Sequence, residues 1–178
     1  MSKVKPSPPD EVLGGFSKPP EGDYVAALLE PAEKGFDAEE AQRRESMSPA
    51  EMRKVPVKAA MFMASISRGD EAGGRASLYC GLTKQKGQMN FLRFIAGTGL
   101  ASTIEQKYPD LGPIEEGWDD AILTSRKFFD ELCTTLPGHE VNITIKHSGD
   151  FANIIRVWPI SGGSVASSQP PSNEGESW

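Results

Sequence analysis

Cysteine is scarce in this 178-residue chain: Cys80 and Cys133 are the only two, and neither has a CxxC partner. Two such thiols cannot build the disulfide framework of a small secreted domain. Histidine is equally sparse, with His139 and His147 alone, and the four residues together lack the spacing of a zinc site. No metal is expected. No apolar run approaches the ~18–20 residues that span a bilayer, so no membrane segment is expected either. The opening Met-Ser-Lys-Val-Lys leads into prolines, not into an apolar stretch, which argues against a secretory signal and makes a cytoplasmic location the default. A P-loop is missing, and so is a glycine fingerprint after a strand; Gly97-Thr98-Gly99 is too short a match. The acid pairs Glu115-Glu116 and Asp119-Asp120 read as a solvated loop and a helix first turn. No nucleophile, base and oxyanion donors converge along the chain. The expectation is therefore no catalytic residue, no cofactor and no enzymatic activity.

What is present is unevenly distributed. The net charge is −6, from 19 basic and 25 acidic residues. Residues 41–100 nevertheless hold ten Lys or Arg against four acids, a local excess of six, so the remainder carries minus twelve. An acidic chain with a basic middle can hold an anion locally. Residues 1–21 contain five prolines, which lack an N–H donor and restrict their neighbours, and form an expected arm. Residues 161–178 are rich in Gly, Ser, Gln and Pro and too polar to offset chain entropy. They form an expected flexible tail that ends in Glu174, Glu176 and Trp178, an acidic peptide with one aromatic anchor for a protein partner. The folded part is expected over residues 22–160.

Within it, five segments read as strands: Asp23–Glu30, Val55–Ser67, Arg75–Thr83, Glu140–His147 and Phe151–Trp158. Ser148-Gly149-Asp150 suits a hairpin turn between the last two. Gln88–Ala96 and Asp119–Leu136 read as helices by apolar spacing and stop signals. Residues 31–54 form an insertion in which Ser48-Pro49-Ala50-Glu51 carries a helix-start signature. The order predicts a fold that is mainly β with helices, a five-stranded OB-fold-like barrel with helices between strands 3 and 4. A flat sheet packed on the long helix is the competing architecture.

Strand parity supplies the functional signal, because residues two apart share a face. In Arg75–Thr83 the face opposite Ala76, Leu78 and Cys80 carries Arg75 and Tyr79. In Val55–Ser67 an apolar set of Val57, Ala59, Met61 and Met63 sends Lys58 and Phe62 to the other side. In Phe151–Trp158 the face opposite Ile155 and Val157 carries Arg156 and Trp158, and Glu140–His147 adds Lys146. Lys84 and Lys86 follow in a loop, and Arg43, Arg44, Arg53 and Lys54 stand in the insertion. Single-stranded nucleic acid asks for this combination: cations follow the phosphates, and rings stack on unpaired bases.

The chain also resembles the bacteriophage-encoded single-stranded-DNA-binding proteins of OB-fold type. The resemblance rests on Glu21-Gly22-Asp23-Tyr24-Val25, Gly74-Arg75-Ala76-Ser77-Leu78, Phe91-Leu92-Arg93-Phe94-Ile95, Leu136-Pro137-Gly138-His139-Glu140-Val141 and Asn153-Ile154-Ile155-Arg156-Val157-Trp158-Pro159. It implies a non-enzymatic protein that coats unpaired DNA in phage replication or recombination and recruits replication or recombination proteins through its tail. The insertion is left open as a binding lid or a homo-oligomer contact. The alternative is a protein-interaction module or virion-associated adaptor, which the overall acidity and the tail favour.

Overall fold

The structure, a computed structural model, describes residues 18–160. Most of the expected arm and the whole tail, with Glu174, Glu176 and Trp178, lie outside the described residues. Among the described residues there are six strands: β1 (Gly22–Leu28), β2 (Ala32–Lys34), β3 (Ala59–Ile66), β4 (Arg75–Gly81), β5 (Glu140–Ser148) and β6 (Phe151–Pro159). Their hydrogen-bonded order is β1-β5-β6-β4-β3-β2, and β1 also pairs with β3. That extra pairing closes β1, β3, β4, β6 and β5 into a ring and leaves β2 on the outside of β3. The β1–β3, β1–β5 and β5–β6 ladders are antiparallel, whereas β4 meets β6 in parallel at Ser77↔Asn153. Counted along the chain without β2, the ring runs first, second, third, fifth, fourth and back to the first. This is a closed five-stranded mixed barrel, mainly β with helices and OB-fold-like as the sequence predicts, and closure removes bare sheet edges.

The helices are α1 (Ala38–Glu45), α2 (Pro49–Met52), α3 (Gln85–Thr98), α4 (Ala101–Lys107), α5 (Asp120–Leu123) and α6 (Arg126–Thr135). The last four fall between the third and fourth barrel strands. The single helix expected over 119–136 is broken in two. Ser125 starts a fresh helix by accepting a hydrogen bond from the Phe128 N–H at 3.2 Å, and the Thr124 carbonyl is taken by the Val57 N–H at 2.8 Å. The expected start at Ser48 is a complete capping box: Ser48 Oγ accepts from Glu51 N–H, and the Ser48 N–H donates to Glu51 Oε1 at 2.8 Å.

The chain divides into two compact units, and β3 and β4 each run from one into the other. The first unit holds β1, β5, β6 and the halves of β3 and β4 from Met63 to Leu78. Its apolar row includes Ala26, Leu28, Ile66, Val141, Ile143 and Ile154, all nearly inaccessible. The β5–β6 hairpin turns through Gly149, whose φ of +60° suits glycine, with Ser148 paired to Phe151. Residues 18–21 strap this hairpin: Lys18 Nζ donates to the Gly149 carbonyl at 3.0 Å, and the His147 N–H donates to Glu21 Oε2 at 2.8 Å.

The second unit, residues 30–62 and 79–137, is built on an aromatic cluster. Phe62 lies 4.8 Å from Phe94 and 5.4 Å from Phe91 between ring centroids, while Tyr108, Trp118 and Phe91 all meet Phe128 edge-on. The first turn of α3 lies hard against the end of β4. A Cβ on Gly87 would stand 1.8 Å from the Gly81 carbonyl oxygen, so only glycine fits.

Candidate nucleic-acid interface

In the first unit β5 alternates as the sequence predicts, with Val141, Ile143 and Ile145 buried and Asn142, Thr144 and Lys146 facing outward. Strand β6 departs from the expected parity. Thr144 pairs with Arg156 and Ile145 with Ile154, so Ile155 is an extra residue at a β-bulge. The bulge shifts the alternation by one, so Ile154 rather than Ile155 shares the buried side with Val157. Arg156 and Trp158 still stand on the outer face, as expected, opposite Thr144 and Asn142. Before the bulge the outward positions are Phe151 and Asn153, and Asn153 pairs with Lys146 on one side and Ser77 on the other. Arg75 is exposed at the start of β4.

Of these positions Arg75, Ser77 and Phe151 line a shallow pocket of about 270 Å³, together with Lys18, Met63 and Asp150, whereas Lys146, Arg156 and Trp158 are not part of its lining. Phe151 is 69% exposed, a large unprotected ring on a strand. Acids temper the surrounding charge. Asp23 accepts from the Thr144 hydroxyl at 2.7 Å, on the Arg156 row. The backbone N–H of His147 holds the Glu21 carboxyl below the usual carboxylate range. His147 Nε2 lies 2.6 Å from the Pro19 carbonyl, which only accepts, so that nitrogen carries the proton.

The second unit contains Lys58, Tyr79, Lys84 and Lys86, all exposed. Tyr79 keeps the outward side of β4 and is 55% accessible. Phe62 is a correction. It is 1% exposed and packed against Phe91 and Phe94, so it belongs to the core and has no face for a base. The expected parity of β3 is reversed from Ala60 onward: Ala60, Phe62, Ala64 and Ile66 are buried, and Met61 and Met63 are partly exposed. Two adjacent buried residues, Ala59 and Ala60, cause the reversal, leaving Lys58 outside and Phe62 inside.

The insertion forms a second, larger cavity of about 470 Å³ within this unit. Strand β2 pairs with the start of β3, Glu33 opposite Ala60, and Asp37 caps α1 by accepting from Glu40 N–H at 2.8 Å. Glu33 is gripped by Arg44 at 2.9 Å and by both terminal nitrogens of Arg126. All three side chains are only 10–13% exposed. Burial alone would lower the Arg44 pKa, but hydrogen bonds to Glu40 and Glu33 more than offset it and raise it. Glu40 is held low chiefly by its hydrogen bond from Arg43 and then by that from Arg44.

The sequence reading missed Phe151 and the insertion cavity. Phe151 follows the hairpin turn at even spacing from Asn153, and placing the bulge would have turned it outward. Burial pushes the Cys80 thiol up to about 12 and the Cys133 thiol up to about 11, which makes both poor nucleophiles at neutral pH. Among the described residues no group of three or more His, Cys, Asp or Glu is placed to hold a metal ion, and no helix is long and apolar enough to cross a membrane. No protein-family model, curated protein or solved structure matches the chain.

Proposed function

We propose that this protein binds single-stranded DNA, by stacking bases on exposed rings and pairing phosphates with neighbouring cations, in the manner of a phage strand-coating protein active in replication or recombination. The observation that carries the reading is Phe151, 69% exposed, at the mouth of a pocket that also holds Arg75 and Lys18. Trp158 and Arg156 on the same outer face support it, as do Tyr79, Lys58, Lys84 and Lys86 in the second unit. A ring next to a cation serves any base, because every base has a π-face, so binding should depend little on sequence. In this reading the acidic tail, with Glu174, Glu176 and Trp178, recruits the partner proteins.

The test is fluorescence anisotropy with a labelled oligo-dT at low salt. Phe151→Ala and Trp158→Ala should each weaken binding by roughly 1–3 kcal/mol if their rings stack on bases. Equal affinity of both variants and the wild type removes the stacking model.

A second reading, a protein-interaction module, is favoured by Asp150 within the pocket and Asp23 on the Arg156 row, which place negative charge where a phosphate would run. An absence of any shift with oligo-dT at low salt would select it.

A further inference from the structure

The insertion cavity is built in a way that strand coating does not require. Gly35 turns the chain after β2 with φ +89°, and a Cβ there would meet the Ala59 Cβ at 3.2 Å, so the turn is tight against β3. The next residue, Phe36, is thereby set at the cavity. Arg44 lies over the Phe36 ring, its guanidinium carbon 4.1 Å from the centroid. Arg44 does not wander, because Glu33 at 2.9 Å and Glu40 at 3.1 Å hold it from two sides, and Arg126 fixes Glu33 in turn. One face of Phe36 is thus backed by a rigid, planar cation, while the residue remains 39% exposed. Val55 and Pro56 add apolar wall.

The charge around that ring is unbalanced. The three acids of the lining are already engaged: Glu33 and Glu40 with arginines, and Asp37 with the amide it caps. Lys34, Lys54 and Lys58 also line the cavity, and among the described residues their ammonium groups make no ion pair. The cavity volume, about 470 Å³, lies in the range that encloses a small organic ligand.

We propose that this cavity is a nucleoside phosphate site, with the base stacked on Phe36 and the phosphate among Lys34, Lys54 and Lys58. A bare phosphate would leave the ring and the Val55–Pro56 wall unused, and an uncharged aromatic ligand would leave three lysines unanswered. A nucleotide satisfies both, and the Arg44 guanidinium behind Phe36 strengthens the flat stack. The nucleotide is either free or part of a DNA strand. The cavity shares no lining residue with the Phe151 pocket that carries the strand-binding reading; Lys58 alone belongs to both the cavity and that reading.

The test is equilibrium dialysis of the full chain with radiolabelled thymidine monophosphate, with inorganic phosphate and thymidine as competitors. Thymidine monophosphate should bind saturably and at least tenfold more tightly than either competitor. Phe36→Leu and Lys54→Ala, both at exposed positions, should each weaken it five- to tenfold with unchanged thermal melting. Phe151→Ala should leave it unaltered even if that variant abolishes oligo-dT binding, which keeps the two readings separable. If the source is a strand, Phe36→Leu also weakens oligo-dT binding and thymidine monophosphate competes with it; if it is a free nucleotide, neither effect is seen. Affinity no greater than that of inorganic phosphate, indifference to both substitutions, or saturable binding only of an acidic peptide such as Asn-Glu-Gly-Glu-Ser-Trp would overturn the proposal.

Discussion

Two aromatic residues on neighbouring strands should respond in opposite ways to truncation. Phe62 is 1% exposed and touches two rings, at 4.8 and 5.4 Å between centroids. Replacing it by leucine keeps an apolar side chain but removes both ring pairs. At roughly 0.5–1.5 kcal/mol per pair, the loss is about 1–3 kcal/mol of stability. For a chain of this size each kcal/mol is worth about 2–4 °C, so a mid-range loss lowers the melting temperature by about 4–8 °C. Tyr79 is 55% exposed, and Tyr79→Ala should move stability by no more than about 0.5 kcal/mol. The stacking role proposed for it, by contrast, predicts a loss of about 1–3 kcal/mol in oligo-dT affinity. Urea melts followed by tryptophan fluorescence give the first quantity, and anisotropy with labelled oligo-dT the second. The reasoning is refuted if Phe62→Leu melts like the wild type yet loses affinity, or if Tyr79→Ala loses stability and keeps affinity.

Other expectations follow from the same geometry. Gly87→Ala would force a methyl group to 1.8 Å from the Gly81 carbonyl oxygen, and should prevent α3 from seating, seen as loss of cooperative unfolding in a thermal scan. Glu33→Gln strips the shared anion from Arg44 and Arg126, whose side chains are 13% and 10% exposed; breaking a largely buried pair costs about 3 kcal/mol, readable as a lower urea midpoint at constant slope. Glu21 and Glu40 both titrate below the ordinary carboxylate value in the folded chain. Their contribution is therefore fully present above the unfolded carboxylate pKa and is lost as the pH falls through the lowered folded values. Urea midpoints should decline on acidification below about pH 4.5. Glu21→Gln should flatten that decline, whereas an unchanged acid profile would remove the strap contact from the account.

The legible parts of the sequence were those where one physical rule acts alone. Strict alternation in Arg75–Gly81 and in Glu140–Lys146 placed Arg75, Tyr79 and Lys146 on the outer side, and the structure agrees. The box at Ser48–Glu51 was legible because its partners are three residues apart. Misreadings arose where a local irregularity resets the period. The buried doublet Ala59-Ala60 turned Phe62 inward, and the extra residue Ile155 exchanged places with Ile154. Neither alanine nor isoleucine announces such a step. Phe151 escaped notice because its exposure depends on that bulge. The insertion cavity was out of reach for a different reason: its keystone joins Glu33 to Arg126, 93 positions apart, and no short-range pattern encodes that meeting.

The most direct measurement is the affinity for oligo-dT of the wild type, Phe151→Ala and Trp158→Ala over a series of salt concentrations. The account predicts a logarithmic fall in affinity with salt, as cations release the counterions of the strand, together with a weaker intercept for each variant. No binding at the lowest salt, or salt-dependent binding that ignores both rings, would contradict it.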